Sequence, residues 1–200
     1  HIENIIIKGN SKTKDFVTAV DEHSIILVKE LKEKETAEEI DRIAKSIEET
    51  LNAETNSHVY ISSGTIVSDL KDVSRSYKEA KMALEVGKIF ENEKYIVNYE
   101  KLGIGRLIYQ LPLPLCRMFI KEVLHGLTMD DFDDETLATV NKFFENNLNV
   151  SETSRQLYIH RNTLVYRLDK LQKMTGLDLR NFDDAIIFKI TLMVSKYMMY

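Results

Sequence analysis

Two short amphipathic segments, separated by a three-residue turn, constrain this chain more than any other feature of its sequence. The first segment begins at Ser151, a good N-cap residue, and directs Ser154 and Leu157 inward. The turn is residues 158–160, with Ile159 filling the space beneath it. The second segment has a leucine stripe at the helical spacing i, i+4, i+7, which predicts a buried face: Leu164, Leu168 and Leu171. Two helices packed around a tight turn are therefore predicted.

The opposite face of the second helix is polar and basic. It starts with Arg161 and Asn162 and continues with four side chains at the spacing i, i+3, i+4, i+7, followed by one more lysine: Thr163, Tyr166, Arg167, Lys170 and Lys173. Arginine matches the O6/N7 pair of guanine, and asparagine matches N6/N7 of adenine. A solvated surface helix would show the same periodicity, so the pattern alone leaves both interpretations open.

Residues 159–168 read Ile-His-Arg-Asn-Thr-Leu-Val-Tyr-Arg-Leu and closely resemble the H-R-N-T-L-x-Y-R-L signature of CdaR/PucR-type regulators of sugar-diacid and purine catabolism. The resemblance covers residues 134–198, with Ser154 where the family usually has alanine. It implies a cytoplasmic transcription regulator of a catabolic operon that binds double-stranded DNA as a homodimer or larger homo-oligomer. It also implies a small-molecule effector sensed by a further upstream domain. The expected DNA-binding residues are Arg161, Asn162, Thr163, Tyr166, Arg167, Lys170 and Lys173.

The net charge of −5 is unevenly distributed along the chain. Residues 150–180 contain six basic and three acidic side chains, whereas residues 128–147 contain one basic and six acidic side chains. Charges farther apart than a Debye length of about 8–10 Å are screened, so the local basic excess governs attraction to phosphate. The apolar runs are too short to span a bilayer, and nothing resembles a signal peptide. The lone Cys116 excludes an internal disulfide and fits a reducing compartment.

The first hundred residues alternate between strand-like and helical patterns. Residues 15–30 are rich in β-formers around a central Asp21-Glu22, which predicts a hairpin. Helix, strand, helix and strand are then expected in turn at 36–52, 58–62, 69–90 and 95–99. The helix at 36 begins with a capping-box spacing, Thr36 to Glu39. This order predicts an α+β domain with helices on one face of a largely antiparallel sheet.

Glycines and prolines after Leu102 mark a change in the sequence pattern, which becomes largely helical from there on. We predict three parts: an α+β domain at 1–102, a helical connector at 103–132 and an all-α helix-turn-helix domain at 133–200. The abrupt start, close to an apolar strand-like run, suggests a piece of a longer protein.

Residues 12–100 more faintly resemble a degenerate GGDEF domain, which has a ferredoxin-like fold. The sequence Ala-Val-Asp-Glu-His at 19–23 lies at the hairpin where a diguanylate cyclase has Gly-Gly-Asp-Glu-Phe. Ile-Ser-Ser-Gly at 61–64 resembles a later strand of that fold, and residues 76–84 resemble the helix after it.

The chemistry of this segment argues against catalysis. Two-metal nucleotidyl transfer needs converging carboxylates and room for the nucleotide, but Ala19 and Val20 replace the glycines, and no first-strand aspartate motif precedes them. The histidines lack zinc-site spacing with Cys116, and no phosphate-binding glycine loop is present. We therefore predict a regulator that is not an enzyme and has no cofactor or metal. The alternative is a nucleotide- or cyclic-dinucleotide-binding signalling domain, or one with residual diguanylate-cyclase-like activity, fused to a DNA-binding module.

Overall fold

The computed structural model describes residues 15–32, 36–55, 58–90 and 94–200. The chain divides into two compact units, His1–Arg106 and Leu107–Tyr200. In the first unit the described strands and helices are β1 (Phe16–Ala19), β2 (Ile25–Val28), α1 (Ala37–Thr55), β3 (Ile61–Ser63), α2 (Val73–Phe90) and β4 (Ile96–Asn98). Short 3-10 turns lie at Leu70–Asp72 and Tyr99–Lys101. The predicted α+β order is confirmed.

The predicted hairpin is present, with residues 16–19 antiparallel to residues 25–28. A hydrogen bond closes its tip: the His23 backbone N–H donates to the Asp21 carboxylate at 2.8 Å. Aspartate favours such turns because its side chain can accept a hydrogen bond from the backbone two residues on. Asp21 therefore has a structural role at the hairpin tip.

Strands β3 and β4 pair in parallel, whereas the order of elements in the sequence predicted a largely antiparallel sheet. Helix α2 connects the two strands and packs against both. A helical crossover returns the chain to the end of the sheet at which the first strand began, so the second strand runs in the same direction as the first. Gly87 permits this close packing, because a Cβ there would lie 2.5 Å from Val97 Cγ2 on β4. The described strands therefore form two separate pairs, β1–β2 and β3–β4.

The second unit is all-α over its full length. Helix α3 (Gly105–Ile108) spans the boundary between the two units. The helices that follow it are α4 (Leu113–Val123), α5 (Asp134–Glu145), α6 (Val150–Gln156), α7 (Arg161–Thr175) and α8 (Phe182–Met199). A short 3-10 turn lies at Met129–Asp131. Pro112 and Pro114 flank the first residue of α4, where proline is tolerated because the first-turn N–H groups have no partner within the helix. Among the described residues, no helix is both long enough and apolar enough to cross a membrane.

Nine buried side chains form the core of the second unit: Leu124, Phe132, Val140, Phe143, Leu164, Leu168, Leu171, Leu179 and Phe188. The predicted leucine stripe of α7 is confirmed, since each of its three members is at most 1% exposed. Leu124 and Phe132 come from the segment predicted as a connector, and they share this core. Burying a leucine or phenylalanine side chain contributes about 1.5–3 kcal/mol, so residues from 107–132 also hold α7 in place.

Candidate nucleic-acid interface

Helix α6 is capped by Asn149, and the predicted cap at Ser151 is wrong. The Asn149 side chain accepts a hydrogen bond from the Glu152 backbone N–H at 3.0 Å, and its backbone is extended. Ser151 lies within the first turn, where its carbonyl accepts a hydrogen bond from the Ser154 hydroxyl at 2.9 Å. Residues 147 and 148 have positive φ, so the chain reverses there and residue 149 is the first that can begin a helix.

The turn between α6 and α7 is tight because Tyr158 adopts a left-handed backbone, with φ at 55°. The Ile159 backbone N–H donates to the Ser154 carbonyl at 3.0 Å, and the Ile159 side chain packs against the core as predicted. Ser154 is itself buried. His160 caps α7, because its Nδ1 accepts a hydrogen bond from the Asn162 backbone N–H at 3.2 Å. The predicted helix, turn and helix are therefore present.

Six of the seven predicted site residues are exposed on α7: Arg161, Asn162, Thr163, Tyr166, Lys170 and Lys173. The first three lie together in the first turn of the helix. Tyr166, Lys170 and Lys173 follow along the helix and line one shallow depression with Asp169 and Met174. From its first turn to its last, α7 therefore presents exposed side chains that are mostly polar or basic.

Arg167 is the predicted site residue that lies apart from this surface. Its guanidinium forms an ion pair with Glu135 and donates to Thr139 Oγ1 at 3.0 Å, and both partners are on α5. Only 17% of the Arg167 side chain is exposed. Arg167 is three residues after Leu164 and four before Leu171, so it borders the buried stripe. A side chain at that position meets the neighbouring helix, which here is α5.

Lys170 provides a second link between α7 and α5. Its Nζ lies 3.1 Å from Asp133 Oδ2. Asp133 is also the N-cap of α5, where it accepts a hydrogen bond from the Thr136 backbone N–H at 2.7 Å. Hydrogen bonds from Thr136, and then from Lys170, lower the pKa of Asp133 to about 2. Asp133 is therefore charged at neutral pH and neutralises part of the positive charge of α7.

Two residues of α5 and its N-cap residue contact the predicted interface although no sequence pattern singled them out: Glu135, Thr139 and Asp133. The available signal was the acidic excess of residues 128–147 beside the basic excess of residues 150–180. Opposite charges in neighbouring segments favour ion pairs, but they do not specify which carboxylate meets which cation.

In the first unit, residues of the segments that resemble a GGDEF domain make hydrogen bonds within the hairpin turn and between β3 and α2. The hydrogen bond from the His23 backbone lowers the pKa of Asp21, which is exposed together with Glu22. The Ser62 hydroxyl on β3 donates to the Ala80 carbonyl on α2 at 2.7 Å. Within the ranges that the structure describes, no group of three or more His, Cys, Asp or Glu side chains could hold a metal ion.

Two helices joined by a tight turn, the second with an exposed polar and basic face, define a helix-turn-helix protein. Comparison with protein families supports this: residues 136–194 match the PucR C-terminal helix-turn-helix domain, and residues 3–86 match the GGDEF-like domain. The chain therefore carries a PucR-type helix-turn-helix domain and a GGDEF-like domain, and both predicted resemblances are confirmed.

Three relatives are named as regulators or activators. The chain is 28% identical to the purine catabolism regulatory protein of Bacillus subtilis (strain 168), over 66% of this chain and 25% of that protein. It is 32% identical to the carbohydrate diacid regulator of Escherichia coli (strain K12), over 68% of this chain and 35% of that protein. It is 28% identical to the proline-responsive transcriptional activator PutR of Bacillus subtilis (strain 168), over 69% of this chain and 34% of that protein. The matches thus span 25% to 35% of the length of these relatives.

Proposed function

We propose that this chain is the DNA-binding part of a sequence-specific transcription regulator of a catabolic operon. The observation that carries the proposal is the exposed first turn of α7, on a helix whose opposite side is buried in the core. A recognition helix contacts base edges in the major groove with its N-terminal residues. The names of the three relatives support the same function.

The exposed residues of α7 divide by chemistry into two proposed groups. Arg161, Asn162 and Thr163 are proposed to contact base edges, where each good bidentate pair contributes about 1–3 kcal/mol of discrimination. Tyr166, Lys170 and Lys173 are proposed to contact the DNA backbone, which adds affinity without sequence preference. Arg167 stays in the proposed interface as a residue that acts through α5.

The proposed active form is a homodimer or a larger homo-oligomer. One helix-turn-helix makes few base contacts, whereas dimers of this motif bind half-sites about 34 Å apart on one face of the duplex. The small-molecule effector is proposed to bind a domain outside this chain. A regulator of this kind works beside the chromosome, which in a bacterium means the cytoplasm.

The first unit is proposed to be a packing or dimerisation module without catalytic activity. Ala19 and Val20 add side chains at the hairpin tip where a diguanylate cyclase has glycines. The Asp21 carboxylate accepts a backbone hydrogen bond within the turn. The names of the relatives also describe regulators and not enzymes.

Selection of bound sequences from a random duplex library tests the DNA-binding proposal directly. The full chain is then titrated, at two salt concentrations, against the selected duplex and a scrambled duplex of the same composition. Specific binders usually prefer their site by about 1,000-fold or more, and an isolated part of a dimeric regulator should approach the lower end of that range. A chain that enriches no sequence, and binds both duplexes equally, would contradict the proposal.

A further inference from the structure

We infer that Arg167 is a positioning residue, which fixes the orientation of α7 on α5 through Glu135 and Thr139 and does not contact bases. The inference rests on the proposed function, because the orientation of α7 matters for a helix that enters a DNA groove. Nothing in the periodicity of α7 distinguishes Arg167 from its exposed neighbours. The distinction comes from its contacts on α5.

Two points on α5 hold the guanidinium of Arg167. Thr139 is 1% exposed, and its hydroxyl donates to the Glu135 carbonyl at 2.8 Å, which orients the oxygen that accepts from Arg167 Nη1. Arg167 Nη2 is paired with the Glu135 carboxylate. A guanidinium has several donors in a rigid fork, so two simultaneous acceptors define both its place and its plane.

The link between Lys170 and Asp133 lies one turn farther along α7. Hydrophobic contacts along the leucine stripe are not directional, so by themselves they resist separation of the helices better than rotation or sliding. Charged hydrogen bonds are directional. Two such links, spaced along the α7 axis, therefore add a directional restraint to the packing of the leucine stripe, and with it they fix the direction of Arg161 and Asn162.

A positioning role and a base-contacting role predict opposite effects of removing Glu135. If Arg167 contacted bases, Glu135 would compete with the DNA, and its removal would free the arginine and raise discrimination between sequences. If Arg167 positions α7, loss of Glu135 releases the helix and lowers discrimination. The side chain of Glu135 is 70% exposed, so its removal leaves the buried core unchanged.

The test measures the ratio of the dissociation constants for the scrambled and the selected duplex, in the full chain and in Glu135→Gln, Arg167→Gln and the double variant. This ratio cancels the general gain in affinity that follows loss of a negative charge, because that gain is common to both duplexes. We expect each single variant to lower the ratio about fivefold, the usual effect of losing a partly exposed charged hydrogen bond. The double variant should fall no further than Arg167→Gln alone, since both changes break one interaction.

Glu145→Gln is the matched control, because Glu145 is exposed at the other end of α5 and paired with Lys142 of the same helix. Its ratio should equal that of the unaltered chain. Arg167→Lys keeps the charge but cannot bind both acceptors in the same fork, so it should recover part of the lost ratio. Circular dichroism of each variant confirms that the helices are intact.

An unchanged or raised ratio in Glu135→Gln would overturn the inference, as would additive losses in the double variant. Failure of the proposed function is visible separately, because the unaltered chain would then show no preference for any selected duplex. That result would overturn the inference together with the function.

Discussion

The Asp133 carboxylate caps α5 and also binds the Lys170 ammonium of α7, 3.1 Å away. One side chain therefore contributes to the start of one helix and to the attachment of another. Asparagine at this position would retain the cap and lose the charge, so the two contributions can be separated.

Asp133→Asn should lower the melting temperature at neutral pH. It should also make the melting temperature depend less on pH in the acid range. The pKa of Asp133 is about 2 in the folded chain, below the value of about 3.9 expected when unfolded. The stabilisation from its charge is therefore complete above about pH 4 and is lost as the pH falls through about 2. Thermal unfolding followed by circular dichroism should show the difference between the two proteins shrinking between about pH 6 and about pH 2. A difference that stays constant over this range would contradict the assignment.

Arg161→Ala and Asn162→Ala should each relax sequence preference while the fold is retained. Both side chains are exposed in the first turn of α7, and a lost base contact removes about 1–3 kcal/mol of discrimination. Gel shifts on selected and single-mismatch duplexes would locate the relaxed position for each variant. Lys196→Ala, exposed on α8, is the control and should keep the full preference. Unchanged preference in both α7 variants would mean that another face of the helix meets the DNA.

Lys173→Ala should weaken binding to every sequence and reduce the slope of log affinity against log salt by about one unit, as loss of one phosphate contact does. Lys170→Ala should have a smaller effect on that slope, because Lys170 is already paired with Asp133, whereas no such pair is found for Lys173 among the described residues. Titrations of a scrambled duplex at several salt concentrations measure both slopes. Equal changes in the two variants would show that the pair with Asp133 opens in the complex.

Ser154→Leu should destabilise the second unit by about 1–3 kcal/mol, the usual effect of forcing a larger side chain into a packed site. Ser154 is 7% exposed, so α6 has no room for a leucine there. Ser154→Ala is the matched control and should be nearly neutral, since it removes only a hydrogen bond to the Ser151 carbonyl within the helix. Urea unfolding measures both changes, and similar losses would contradict the proposed packing.

The chain should form no cyclic dinucleotide from GTP in the presence of magnesium or manganese. Ala19 and Val20 project from the hairpin tip, and Asp21 is hydrogen-bonded to the turn itself. Chromatography of the reaction mixture measures the product. Formation above background that disappears in Asp21→Ala or Glu22→Ala would contradict the proposal that the first unit is not catalytic.

Local rules were sufficient for some of the features that depend on neighbours in the sequence. The hairpin at residues 16–28 follows from β-formers around a polar pair, and it is observed. The wrong cap of α6 has an equally local cause, because Asn149 and Ser151 are both good N-caps and only the preceding turn selects between them. The parallel pairing of β3 with β4 was missed because it depends on how α2 crosses between them.

The sequence by itself determined which side of α7 is buried and which polar side chains occupy its first turn. A period of 3.6 residues fixes the angle of each side chain around its own helix axis, so Leu164, Leu168 and Leu171 had to share one face. Only the tertiary structure decided the partners of Arg167 and Lys170, which are separated in sequence from Glu135 and Asp133 by 32 and 37 residues. Periodicity says nothing about which helix packs beside a given flank, and that neighbour determines whether an arginine is free or held.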